Sequence, residues 1–109
     1  TLDGKYYQLD GAIVRPLPLQ ENGIPLWIAG GGEKKTLRIA AKYAQYTNFS
    51  GNPEEFTHKS EVLRAHCADV GTDFDAIIRS ANFNVVIGST QAEVDDRLAA
   101  LKARLTPVI

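Results

Sequence analysis

The residues with the most chemical promise are Gly30-Gly31-Gly32-Glu33, which follow the apolar run Leu26-Trp27-Ile28-Ala29. Several backbone N–H groups together hold a phosphate, and glycine permits the unusual dihedrals and the close approach that this needs. A helix starting after the glycines adds free N–H groups and the positive end of its dipole. Lys34, Lys35 and Thr36 can add charge and a hydroxyl. The spacing matches neither a Walker loop, which needs Gly-Lys-Ser/Thr, nor G-x-G-x-x-G. The triplet alone is a weak signal, and a plain strand-to-helix turn that happens to use glycine is the competing reading.

The other reactive side chains point elsewhere. His58 and His66 are eight residues apart on one expected helix, about 12 Å along its axis. That is too far for one metal ion, so they read as surface or packing histidines and no metal site is expected. Cys67 falls in an apolar stripe and reads as an inert core thiol. As the single cysteine it excludes an intramolecular disulfide and a cysteine-rich zinc site. Asp73, Asp75, Asp95 and Asp96 are scattered and read as solvated carboxylates rather than an acid–base pair. Trp27 reads as core. Asn48 has two open roles: a hydrogen bond near a bound cofactor's tail, or a turn. No catalytic acid or base can be named.

The elements that position these residues alternate. Leu26–Ala29 is apolar without alternation, as in a parallel strand buried on both faces. Residues 33–44 read as a helix with Leu37, Ala40, Ala41 and Ala44 on one side. Tyr46–Phe49 is a second strand. Asn52 caps a second helix, with Pro53 at its first position, Glu55 at the capping-box position and Gly71 as its stop. Phe56, Leu63, Cys67 and Val70 form its stripe. A third strand is expected near Ala81–Ile87. A third helix follows, with Thr90 and Glu93 as a capping box and Val94, Leu98, Leu101 and Leu105 as its stripe. Residues 1–24 read as an irregular lead-in, with a short strand at Lys5–Leu9 and a turn at Asp10-Gly11; Pro16, Pro18 and Pro25 argue against helix.

The order β-α-β-α-β-α favours a parallel sheet with right-handed crossovers. Three strands leave open edges, and a closed eight-stranded barrel needs about 250 residues. The 109 residues therefore read as α/β, a portion of a (β/α)8 TIM barrel completed by further chain or by another copy, so a homo-oligomer is expected. The chain starts at Thr1 and contains no methionine, so an upstream part is expected.

Composition is that of a globular protein, with 44% hydrophobic and 23% charged residues. A net charge of -1 gives no pull toward nucleic acid or an anionic membrane. No apolar run approaches the roughly 20 residues that span a bilayer. No signal peptide is read at Thr1–Lys5, and a cytoplasmic location is the default expectation.

The ordered series Gly4-Lys5-x-Tyr7, Pro16-x-Pro18-x-Gln20, Ile24–Lys34, Thr36–Ala41 and Tyr43-Ala44 resembles the luciferase-like monooxygenase superfamily. It is most similar to the branch that uses the deazaflavin coenzyme F-420. Asn48, Gly51, Lys59, Leu63, His66-Cys67 and Gly71 continue the resemblance over most of the chain. The resemblance implies a (β/α)8 barrel of which residues 1–109 are a C-terminal portion, with 25–109 as the βα units. It implies hydride transfer between a small-molecule substrate and coenzyme F-420, with FMN as the alternative. It also implies that Gly30, Gly31, Gly32 and Glu33 contact the cofactor phosphate through backbone N–H groups. Two positions depart from the family pattern: Gln45 stands where aspartate is usual, and Gly71-Thr72-Asp73-Phe74 where Gly-Arg-Asp-Pro is usual. A non-enzymatic half-barrel module and a phosphosugar or nucleotide enzyme on the same barrel are the rival readings.

Overall fold

The computed structural model describes residues 1–105. Its elements are β1 (Leu2–Asp3), β2 (Gln8–Leu9), β3 (Trp27–Ala29), α1 (Thr36–Tyr43), β4 (Tyr46–Asn48), α2 (Pro53–Val70), β5 (Ile78–Ser80) and α3 (Gln91–Leu105). A short 3-10 turn, Phe74–Ala76, leads into β5. Strands β3, β4 and β5 pair in parallel in sequential order, with Trp27 opposite Tyr46 and Tyr46 opposite Ile78. Sequential parallel order with helices between the strands is the β-α-β-α-β-α portion of a (β/α)8 barrel.

The helices follow from their local signals. The Asn52 side chain accepts the Glu55 N–H at 2.9 Å, and Pro53 opens α2. Gly71 closes the helix at φ 77°, where a left-handed residue brings its N–H back to the Cys67 carbonyl at 2.9 Å. Helix α1 starts three residues later than the periodicity suggests. Lys35 has no short side-chain oxygen with which to cap, and Glu33–Lys35 form a turn in which the Leu37 N–H reaches back to the Gly32 carbonyl at 2.9 Å.

The core lies between the sheet and the first two helices. Ala40, Ala41 and Ala44 of the α1 side pack with Leu63 and Cys67 of α2, Phe74 and Ile77, against Ile28 of β3. Small α1 side chains let α2 approach closely. Arg38 and Asp69 form an ion pair across the two helices. Cys67 is buried, as its stripe position implies.

Three expectations need correction. First, β3 is not buried on both faces. Ile28 and Thr47 face the helices, while Trp27 is 60% exposed and stacks on Tyr46 at 4.9 Å between ring centroids. Second, the third strand is Ile78–Ser80 rather than Ala81–Ile87. β4 is only three residues long, so a parallel partner finds ladder bonds only over that span; beyond it, Phe83, Val85 and Ile87 are exposed. Third, the lead-in hairpin pairs β1 with β2, so Lys5–Tyr7 lie in its turn rather than in a strand.

Helix α3 forms, but none of its residues is buried. The Glu93 N–H meets the Thr90 hydroxyl at 3.3 Å, while the Glu93 carboxylate takes the Ser89 N–H at 2.8 Å instead of closing a box on Thr90.

Candidate functional site

The strand ends bring the sequence candidates to one edge. The Gly30 N–H donates to the Asn48 carbonyl at 2.8 Å, extending the β3–β4 ladder by one bond. Asn48 is thus a strand residue rather than a turn residue, and its Nδ2 donates to Ser80 Oγ at 2.9 Å and to Asn82 Oδ1 at 3.4 Å. The Ser80 hydroxyl in turn donates to the Thr47 carbonyl at 3.2 Å. This edge is the carboxyl end of the parallel strands, where barrel folds carry their ligand sites.

Each glycine of the triplet has its own reason. Gly30 has φ 119°, which side chains rarely adopt. A Cβ on Gly32 would stand 2.9 Å from Thr36 Oγ1, closer than real contacts allow. A Cβ on Gly31 would meet Lys59 Cε at an ordinary 3.4 Å. The first and third glycines are therefore required by the turn itself. The middle one is not.

The carbonyls of the next three residues are each engaged. Gly31 O accepts from Lys59 Nζ at 2.7 Å, Gly32 O from the Leu37 N–H at 2.9 Å, and Glu33 O from His66 Nε2 at 2.6 Å. A carbonyl only accepts, so His66 Nε2 carries the proton. By contrast, the backbone N–H groups from Gly31 to Thr36 meet no acceptor among the described residues. The Gly30 N–H thus belongs to the sheet, and the run of unengaged donors begins at Gly31.

The Glu33 carboxylate is held by Lys59 Nζ and by His58 Nε2, each at 3.0 Å. The Lys59 hydrogen bond, with a smaller contribution from His58, lowers its pKa below the ordinary 4.5 against a partial desolvation that opposes it. An open cavity of about 410 Å³ beside these groups is lined by Glu33, Glu54, Glu55, His58 and Lys59. Three carboxylates make that side of the turn unsuited to an anion. A second open cavity, about 400 Å³ and mostly apolar, lies between the start of α2 and the end of β5, against Phe56, Ser80 and Phe83.

Lys59 and His66 belong to this turn although no local pattern in the sequence places them there. They are seven apart, two helical turns, and so share one face of α2. That spacing was readable; its target, some 30 residues upstream, was not. The remaining candidates are structural. Asp73 caps the 3-10 turn through the Asp75 N–H at 3.0 Å, and Asp95 accepts from Gln91 at 2.8 Å. Among the described residues no three His, Cys, Asp or Glu side chains gather to hold a metal.

The two departures from the family pattern lie at the far side. Gln45 sits before β4 and its Oε1 accepts the Leu26 N–H at 2.7 Å, tying the entrances of β3 and β4 together. Phe74 is buried, with the guanidinium groups of Arg64 and Arg79 at 4.0 and 4.1 Å from its ring centroid. Neither touches the glycine turn.

The luciferase-like monooxygenase family profile matches residues 1–107. The chain belongs to this family. A phthiodiolone/phenolphthiodiolone dimycocerosates ketoreductase from Mycobacterium sp. (strain JLS) is 33% identical over 98 residues, covering 88% of this chain and 26% of that protein. The luciferase-like chain thus spans about a quarter of the length of that relative. Its sheet and helices are those of part of a luciferase-like barrel, and the family comprises oxidoreductases and monooxygenases. Among the described residues no helix is long and apolar enough to cross a membrane.

Proposed function

We propose that this chain is the C-terminal, cofactor-phosphate-binding portion of a luciferase-like oxidoreductase that uses coenzyme F-420, with FMN as the alternative. The observation that carries the reading is the run of unengaged backbone N–H groups from Gly31 to Thr36, placed between the carboxyl end of β3 and the start of α1. Such donors, with the positive end of the helix dipole behind them, suit a phosphate. The cofactor, when bound, supplies the hydride chemistry; this chain's residues hold and orient its phosphate. The ketoreductase relative supports hydride transfer to or from a carbonyl carbon as the reaction class. On this reading the groups that handle the substrate belong to other barrel strands, and residues 1–109 alone are inactive.

Titration of the whole protein with F-420 and with FMN tests this. Saturable binding of either, weakened when Gly30 or Gly31 is replaced by valine, is the expected result. If neither binds, or if both variants bind as tightly as the unaltered protein, the reading fails. Preferential binding of a sugar phosphate would move the protein to another class of barrel enzyme.

A further inference from the structure

We infer that Lys59 and His66 are positioning residues that orient the peptide planes of the glycine turn so that its N–H groups face outward. The inference deepens the phosphate-binding reading and rests on it.

The geometry follows from the planar trans peptide. In each peptide unit the C=O and the next residue's N–H point in opposite directions. Fixing a carbonyl therefore fixes the N–H behind it. Gly31 O is held by Lys59 Nζ at 2.7 Å, which turns the Gly32 N–H away from α2. Gly32 O is held by the Leu37 N–H at 2.9 Å, which sets the Glu33 N–H. Glu33 O is held by His66 Nε2 at 2.6 Å, which sets the Lys34 N–H. Three consecutive donors are oriented by three anchors, two of them side chains of α2.

Glycine makes the anchors necessary. A Gly-Gly-Gly segment has low barriers to flipping its peptide planes, since no Cβ selects one orientation. A flipped plane would present a carbonyl oxygen to the anion in place of an N–H. Lys59 is suited to the task because its ammonium also binds Glu33 Oε1 at 3.0 Å, so its own position is fixed from two sides. His58 completes the set by holding the same carboxylate oxygen at 3.0 Å. The pairing also keeps the Glu33 charge turned toward α2. All of these groups sit on the carbonyl side of the turn, so none competes for the outward donors.

The test uses the whole protein and two pairs of ligands: FMN against riboflavin, and F-420 against its phosphate-free deazaflavin chromophore. Lys59→Met is expected to weaken the phosphate-bearing member on the order of tenfold, the scale of a lost charge-assisted hydrogen bond. The phosphate-free member should bind unchanged. Lys59→Arg should restore most of the loss, and His66→Phe should reproduce a part of it. A purely structural role would weaken both members alike, and that result overturns the inference. So does Lys59→Met that keeps the full preference for phosphate. If Lys59→Met does not fold, Lys59→Arg and His66→Phe decide by the same comparison. Where the unaltered protein binds both members of each pair equally, it is the phosphate-binding reading itself that fails.

Discussion

At the residue scale, the glycine turn separates conformational need from ligand need. Gly30→Ala places a side chain at φ 119° and should cost about 1–3 kcal/mol of stability. Gly32→Ala drives a Cβ to 2.9 Å from Thr36 Oγ1 and should cost about 1–3 kcal/mol, part of which Thr36→Ala should recover in the double variant. Gly31→Ala meets only ordinary contacts and should stay within about 0.5 kcal/mol of the unaltered protein. Chemical denaturation of the whole protein checks all three. A large loss at Gly31 would mean that its environment is tighter than the structure shows.

Glu33 gives this turn a pH signature. Its pKa is depressed by Lys59 and His58, so its stabilising effect is complete above the ordinary carboxylate value of 4.5. The effect is lost as pH falls through the lower folded value. The stability difference between the protein and Glu33→Gln should shrink as pH falls below 4.5. Asp69, whose pKa Arg38 lowers from 3.8, titrates in both proteins and cancels in that comparison. A difference that persists undiminished as the carboxylates are protonated in acid would contradict this.

At the element scale, what was legible in the sequence was what neighbouring residues decide. Asn52, Pro53 and Gly71 bounded α2 because a cap is a contact within a few residues. The α1 stripe of Leu37, Ala40 and Ala41 was legible for the same reason, and all three are buried. Strand β5 was not legible at its true place, because parallel pairing is chosen by the partner. Arg79 earns its strand position only by standing opposite Thr47, whereas Phe83-x-Val85-x-Ile87 alternates well and pairs with nothing among the described residues. The candidate site shows the same division. Its glycines were visible, and their anchors Lys59 and His66 came from α2 through contacts that no local pattern records. Local signals can be tested locally: Asn52→Ala should cost about 1 kcal/mol. Leu63→Ala, which opens a hole where α2 meets the alanines of α1, should cost about 2–5 kcal/mol. Denaturation midpoints at constant slope would measure both, and equal costs would mean that the α1–α2 contact carries less of the stability than its burial implies.

At the scale of the whole molecule, the chain does not close on itself. Its radius of gyration is 19.7 Å, against about 13 Å for a compact domain of some 100 residues. One sheet face is covered by α1 and α2. The other presents Trp27 at 60% and Ile78 at 57% exposure. In a (β/α)8 barrel the inner face of the strands is filled by side chains from the other strands. Trp27 and its stacked partner Tyr46 are therefore expected to be interior residues of the complete barrel, and the size of the Trp27→Ala effect depends on the assembly. If the face were solvated in the whole protein, Trp27→Ala would change stability by no more than about 0.5 kcal/mol. If barrel strands cover it, the same change removes a buried aromatic and should cost about 3–5 kcal/mol. The larger loss is expected in the whole protein, together with a Trp27 emission, isolated as the difference from Trp27→Phe, that is blue-shifted and shielded from acrylamide. A small loss with freely quenched emission would show that this face is not the inside of a barrel.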